Sequence, residues 1–219
     1  ALLAMVYGLK ASLRWERALY FFAVVIFITF IWFGQSRTAF ASLLMALFFL
    51  TIMGGRQEKY IWISLVISAV AVLVLVFPEL VEQAWNRGLG ARPLIWQEFL
   101  KDVAQSPVFG QGLISKVSYD IGVESFSVAH NAYIQALWHG GVIGFGLLSM
   151  ILVSACWHAW RLGQEQDNFV VLGILLFAMS VMLTGVDTLI GRPRDQWMLF
   201  WFPLALLISY QTRPLKLPE

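Results

Sequence analysis

The sequence predicts an all-α polytopic membrane protein, a helical bundle with one long polar loop on one side of the bilayer. Hydrophobic residues make up 59% of the chain and charged residues 13%, with a mean hydropathy of +0.74. A soluble domain is about a quarter charged, so the deficit is too large for a generous core to explain. The apolar residues are also gathered in runs long enough to cross a bilayer. One stretch, residues 78–131, interrupts this pattern with a long polar insertion.

Taken in order, Ala1 to Leu9 reads as the tail of a helix, and Lys10, Arg14 and Arg17 follow it. The chain opens without Met or a signal-like start, so it is expected to be the C-terminal part of a longer protein. The runs Ala18–Gly34, Thr38–Met53 and Tyr60–Phe77 come next. At about 1.5 Å per residue each covers roughly 24–27 Å, enough for a slightly thin hydrocarbon core. Beyond the polar stretch come Val142–Trp160, Phe169–Ile190 and a shorter run, Trp197–Tyr210, that contains Pro203. Six full spans and a partial one is the simplest count. The expected parts are N-terminal transmembrane helices (1–77), the long loop (78–131), C-terminal transmembrane helices (132–210) and a tail (211–219).

Lys and Arg in short loops set orientation. If every run spans, Lys10, Arg14, Arg17, Arg56, Lys59, Arg161, Arg213 and Lys216 fall on one side. Only Arg37, Arg192 and Arg194 fall in the short connections of the other. The C-terminus is therefore expected in the cytoplasm and the long loop in the opposite compartment. Inside that loop, Pro93 suits the first position of a helix over Leu94–Ala104, with Leu94, Ile95, Phe99 and Val103 on one face. This reads as an amphipathic helix at the membrane interface. Ser106-Pro107 ends it, the stretch from Pro107 to Gly112 reads as a turn with two glycines, and Ala132–Trp138 runs helically toward Gly140-Gly141.

Several classes are excluded. The net charge of +2 and the absence of a basic, aromatic-interleaved stripe argue against nucleic acid. A single cysteine, Cys156, and three dispersed histidines provide no disulfide framework and no metal spacing. The glycines Gly88, Gly90, Gly110 and Gly112 match no nucleotide-binding fingerprint.

The predicted topology brings Arg37, Arg92, His130, Asp187, Arg192 and Arg194 to one membrane face. Charge at a membrane edge is costly and tends to mark function. Arginine suits phosphate, because its planar fork donates two parallel hydrogen bonds and stays charged. Arginines around one histidine point to an anionic, lipid-anchored ligand such as a pyrophosphate, with the imidazole able to accept a proton from a hydroxyl. Each residue also has a structural reading. Arg37 serves equally as a snorkelling anchor, Arg92 as a partner of Glu98 or Asp102, and His130 as a turn residue. Arg192 and Arg194 flank Pro193 in what reads as a solvated turn, with Asp187 as a partner for Arg192. His158 belongs to an aromatic belt, and His139 merely precedes two glycines.

Ser36-Arg37-Thr38-Ala39, then Arg92 and Trp96, then the stretch from Ser106 to Gly112, then His130-Asn131-Ala132-Tyr133-Ile134-Gln135 form an ordered set. Over residues 34–148 this set resembles the bacterial O-antigen ligase/polymerase family, membrane enzymes of the class C glycosyltransferase type. The resemblance implies a multi-pass protein of the bacterial inner membrane, with its active site facing the periplasm. It implies transfer of a glycan from an undecaprenyl-pyrophosphate carrier to a hydroxyl of the lipid A-core oligosaccharide, or to a glycan repeat in polymerases, with no metal or other cofactor. By position, Arg37 and Arg92 match the family's basic residues and His130 its catalytic histidine. Arg192 and Arg194 match nothing in the family pattern and join the expected pyrophosphate site on topology alone. Thr38 stands where the family often has glycine. A transporter or flippase for polyprenyl-linked glycan is the competing class, disfavoured because the charges gather at one face and no internal repeat is present.

Overall fold

The computed structural model describes residue 4 and residues 12–33, 37–53, 90–122, 124–166, 168–186 and 195–211. These form helices α1 (Arg14–Phe33), α2 (Arg37–Met53) and α3 (Arg92–Gln105), and a hairpin of β1 (Tyr119–Ile121) and β2 (Glu124–Phe126). Helices α4 (Ala132–Gln166), α5 (Val170–Met182) and α6 (Asp195–Gln211) follow. The expected spans near residues 18–34, 38–53, 142–160 and 197–210 each coincide with a helix, while the run over 60–77 lies outside the described residues. Among the described residues α4 alone is long and apolar enough to cross a membrane by itself; shorter apolar helices occupy 38–50, 170–182 and 197–210.

In the described part of the run Phe169–Ile190, which ends at Val186, the helix stops at Met182. The amides of Leu183 and Thr184 turn back three residues to the carbonyls of Ser180 and Val181, and Gly185 bonds to Val181. Tight bonds of this kind close a helix and satisfy its last carbonyls. Side chains tie this helix end to α2: Thr184 Oγ1 lies 3.0 Å from Thr38 Oγ1, and Ser42 Oγ donates to Ser180 Oγ at 3.0 Å. Thr38 and Ser42 stand one turn apart on α2, and Ser180, near the end of α5, stands four residues before Thr184 in the turn that follows it, so two polar rungs join α2 to the end of an antiparallel α5. Further along, Ala46 is fully buried, and a side-chain carbon at Gly173 would sit 3.0 Å from Leu50. Small residues of this kind let helix backbones approach closely in a bundle.

Helix α4 is broken at Gly141 (φ 59, ψ −157), a conformation open essentially to glycine alone. The arm before the break doubles back beside the arm after it. A side-chain carbon on Gly144 would lie 3.2 Å from the carbonyl of Ala136, and Ala132 shares a buried cluster with Leu148 and Leu152. Breaking a helix there strands the amides of Val142 and Ile143 and the carbonyls of Trp138 and His139, which regular i→i−4 bonding would pair. The loop after α3 takes up all four. Val142 donates to Pro107 (2.8 Å) and Ile143 to Val108 (3.4 Å), while Gln111 donates to Trp138 (2.7 Å) and Gly112 to His139 (2.9 Å). The loop is stitched into the helix in place of the missing turn. Gly110 (φ 68) permits the approach, since a side-chain carbon there would stand 2.5 Å from Gly141 N and Trp138 O.

Helix α3 packs on the first arm of α4 through Ile95, Phe99 and Val103, spaced four apart, all buried with Ala129 and Trp138. At about 1.5–3 kcal/mol per buried side chain, this stripe holds α3 as part of a folded loop unit. Two details differ from the sequence expectation. Leu94 is 55% exposed, being about a quarter-turn off the 95–99–103 stripe, and Pro93 is the second helical residue because Arg92 opens the helix. The β-hairpin covers the same core, with Tyr119 edge-on to Phe99 at 5.0 Å. The Tyr119 hydroxyl donates to Asp102 Oδ2, which also accepts from Trp138 Nε1 at 3.2 Å. Burial, and next that bond to the carboxylate, raise the Tyr119 phenol well above the ordinary tyrosine range. A raised folded-state value means the contact is fully present below about pH 10 and is lost only as pH climbs beyond it. Tyr119→Phe is expected to destabilise the hairpin's docking by about 1.5–3 kcal/mol, read as faster hydrogen exchange of the hairpin amides than in the unsubstituted protein at the same pH, with that difference in protection constant between neutrality and about pH 9.

Candidate active site at one end of the bundle

Four element ends meet on one side of the bundle. The rungs from Thr38 and Ser42 to Thr184 and Ser180 bring the start of α2 to the end of α5. Tyr133, in the first turn of α4, donates its hydroxyl to the carbonyl of Met179 at 2.9 Å. Phe200, in the second turn of α6, shares a buried cluster with Ala132 and Val186. Arg37 is thus the first residue of a helix that begins beside the start of α4; it is described by its backbone alone. Asp187, Arg192 and Arg194 lie outside the described residues.

Arg92 opens α3, and Trp96, one turn later, donates its indole N–H to the carbonyl of Ala129 at 2.9 Å. That bond draws the start of α3 toward the residue before His130. Neither carboxylate offered by the sequence takes the half-buried Arg92. Glu98 pairs with Lys101 at 2.7 Å, Asp102 accepts from Tyr119 and Trp138, and no ion pair engages Arg92 among the described residues.

His130 is half-buried and, among the described residues, the one non-glycine with positive φ (49°). The left-handed region costs about 1–2 kcal/mol for most residues, and such outliers cluster where surroundings over-determine them. The surroundings here are specific. Asn131, 6% exposed, caps α4 by accepting from the amides of Tyr133 (2.9 Å) and Ile134 (3.1 Å), as an N-cap side chain does. The backbone of Ala129 is held on both sides of its Cα, since Trp96 donates to its carbonyl and Gln135 Oε1 accepts from its amide at 2.9 Å.

That last bond fixes the Gln135 amide, because a backbone N–H can only donate, so Nε2 must face His139 Nε2, 3.0 Å away. His139 Nδ1 lies 2.9 Å from the carbonyl of Gly112, which can only accept. The hydrogen therefore sits on Nδ1, and Nε2 accepts from Gln135. A continuous chain runs from Trp96 through Ala129, Gln135 and His139 to Gly112, tying the loop to the residue beside His130. His139, read from the sequence as merely preceding two glycines, is a central link. Its signal was the i, i+4, i+8 polar stripe Asn131, Gln135 and His139 on an otherwise apolar segment. Gln135→Leu would orphan the buried Ala129 amide, at about 1–3 kcal/mol. The expected readout is a locally raised exchange rate at Ala129 and a fall in activity, with the helices unchanged by circular dichroism.

Among the described residues no group of histidine, cysteine and acidic side chains is gathered as a metal site. The geometry defines a class, a helical bundle whose folded loop is clamped onto a broken helix at one end. A family model described as O-Antigen ligase matches residues 22–149. The chain belongs to the O-antigen ligase family. It is similar to an O-antigen ligase of Pseudomonas aeruginosa (strain PAO1), with 27% identity over 175 residues, covering 80% of this chain and 43% of that relative. No solved structure matches the chain.

Proposed function

We propose that the chain carries the catalytic half of a membrane glycosyltransferase, an O-antigen ligase that moves a glycan from undecaprenyl pyrophosphate to a hydroxyl of the lipid A-core oligosaccharide. One observation supports this reading: helices α2 and α3 open on Arg37 and Arg92 and α4 starts just after His130, with Trp96 tied to Ala129 and both α2 and α4 bonded to the last turns of α5. Helix N-termini present unpaired amides and positive partial charge, which favours phosphate. The two guanidinium groups add permanent charge beside them. Family membership supports the class of chemistry.

In the proposed reaction, Arg37 and Arg92 grip the carrier's pyrophosphate, with Arg192 and Arg194 assigned to the same anion. The acceptor hydroxyl oxygen attacks the anomeric carbon from the side opposite the leaving group. Its proton passes to His130, while the anomeric carbon–oxygen bond breaks and pyrophosphate departs with the electron pair. Negative charge grows on the leaving oxygen in the transition state, so the arginines contribute to rate as well as to binding. The anomeric centre inverts. The site faces the periplasm in this reading, and the C-terminus lies in the cytoplasm.

Reconstituting the full-length protein in vesicles with carrier-linked glycan and core acceptor tests the reading. A new glycosidic bond with release of undecaprenyl pyrophosphate supports it. Glycan movement across the bilayer without product would establish a transporter instead. A product joined only to another carrier-linked repeat would make the enzyme a polymerase.

A further inference from the structure

The loop that is stitched into α4 ends in an apolar tip. Phe109 is 74% exposed, Leu113 72% and Ile114 92%, with Val108 at 50%. Exposed turns are ordinarily built from Gly, Pro, Asn, Asp and Ser, and three large apolar side chains on one tip need a partner. The turn is also held open in this form. Gly112 stands at φ 96, the Ser115 amide donates to Gly112 O at 3.3 Å, and the Ser115 hydroxyl donates to Gln111 O. Leu113 and Ile114 are thereby presented outward on a rigid base, and the base is fixed to Trp138, His139, Val142 and Ile143 by the backbone bonds described above.

The level of that base is set by the span. Arg161 is the first charged residue of α4 after its apolar run, preceded by Trp157 and Trp160, the residue types that mark a membrane interface. Counting back about 20 residues from Trp160, or about 30 Å at 1.5 Å per residue, reaches the break in α4. The opposite boundary of the hydrocarbon layer therefore falls where the loop is attached. The side chains there continue the same surface: Val142 is 61% exposed and Ile143 48%, both on the arm that crosses. The apolar tip thus lies at the same level as the exposed apolar side chains that open the span, and exposed Lys116 follows it two residues later.

We propose that residues 108–114 form a membrane anchor, with Phe109, Leu113 and Ile114 inserted into the leaflet on the side of the site. The anchor fixes the height of the loop unit, and with it the starts of α3 and α4, relative to lipid-borne substrates. This rests on the span and the loop geometry, not on the identity of the reaction.

Spin labels on the full-length protein in phosphatidylethanolamine–phosphatidylglycerol vesicles test it. Single cysteines are placed at Phe109, Ile114 and, as the aqueous reference, exposed Asp120 on the hairpin, in a background with Cys156→Ser and any other native cysteine replaced. Labels at Phe109→Cys and Ile114→Cys are expected to collide more with dissolved oxygen than with a water-soluble nickel chelate, and the label at Asp120→Cys should show the inverse ratio. Nickel accessibility at Ile114→Cys equal to that at Asp120→Cys would place the tip in water and overturn the proposal. Shielding from both reagents would show that another part of the protein covers it, and would overturn it equally. Circular dichroism and retained span accessibility at Val142→Cys confirm that the labelled variants are folded.

Discussion

Replacing His130 by alanine is expected to lower glycan transfer by about 10²- to 10⁴-fold, the usual contribution of a positioned general base. The acceptor hydroxyl is a poor nucleophile until its proton has somewhere to go, and none of the proposed arginines can accept one. The backbone complicates the reading, because His130 sits at φ 49 and alanine there costs about 1 kcal/mol. Two companion variants separate the effects. His130→Gly relaxes the backbone and removes the imidazole; His130→Asn tolerates the left-handed region and retains polarity. All three are expected to lose activity alike while the Asn131 cap holds α4 in place. The assay is lipopolysaccharide from a null strain complemented with each variant, beside purified-enzyme turnover. Near-normal capping with His130→Gly would remove His130 from the chemistry and leave it a turn residue.

Gly141→Ala is expected to have a comparable effect on activity through a different route. A side-chain carbon at Gly141 would lie 2.3 Å from Val108 O and 2.7 Å from Gly110 N, in a backbone conformation that alanine does not adopt. The loop must then leave the break, and the four backbone bonds of Pro107, Val108, Gln111 and Gly112 go with it. Unmet buried backbone groups cost about 1–3 kcal/mol each, so the loop unit should undock altogether. The neighbouring Gly140 is the control: it is helical, with nothing within 4 Å of an added carbon, so Gly140→Ala should be silent. Proteolysis of the 106–116 segment and hydrogen exchange at Gln111, Gly112 and Val142 report the difference. Equal protection in the two variants would mean that the loop is not held by the break.

The polar network was partly legible beforehand. Arg37, Arg92 and His130 stood out because charge is expensive at a membrane edge, and each stands at or just before the start of a helix. Gln135 and His139 were harder to see. Each is an ordinary polar residue on a helix, and its value depends on Ala129 and Gly112, which reach it only after the chain has folded back. Asp102 is similar: the sequence offered it to Arg92, whereas packing gives it to Tyr119 and Trp138. Sequence spacing shows who is near along a helix; it does not show which of several possible partners a fold delivers.

The amino-acid sequence by itself determined the solvent this protein lives in, the helical class and the ordering of helices around a polar insertion. Those follow from hydrophobic run length and from the need to satisfy every backbone group in lipid, which are local properties of the chain. It also determined Ile95, Phe99 and Val103 of the buried stripe, a matter of helical period, though not that Leu94 stands outside it. Tertiary structure alone decided that α4 breaks at Gly141 and that a loop some 30 residues earlier completes its hydrogen bonding. The physical reason is the same in each case. A helix end or break leaves backbone donors and acceptors unpaired, and only the arrival of a distant segment determines whether that state is stable.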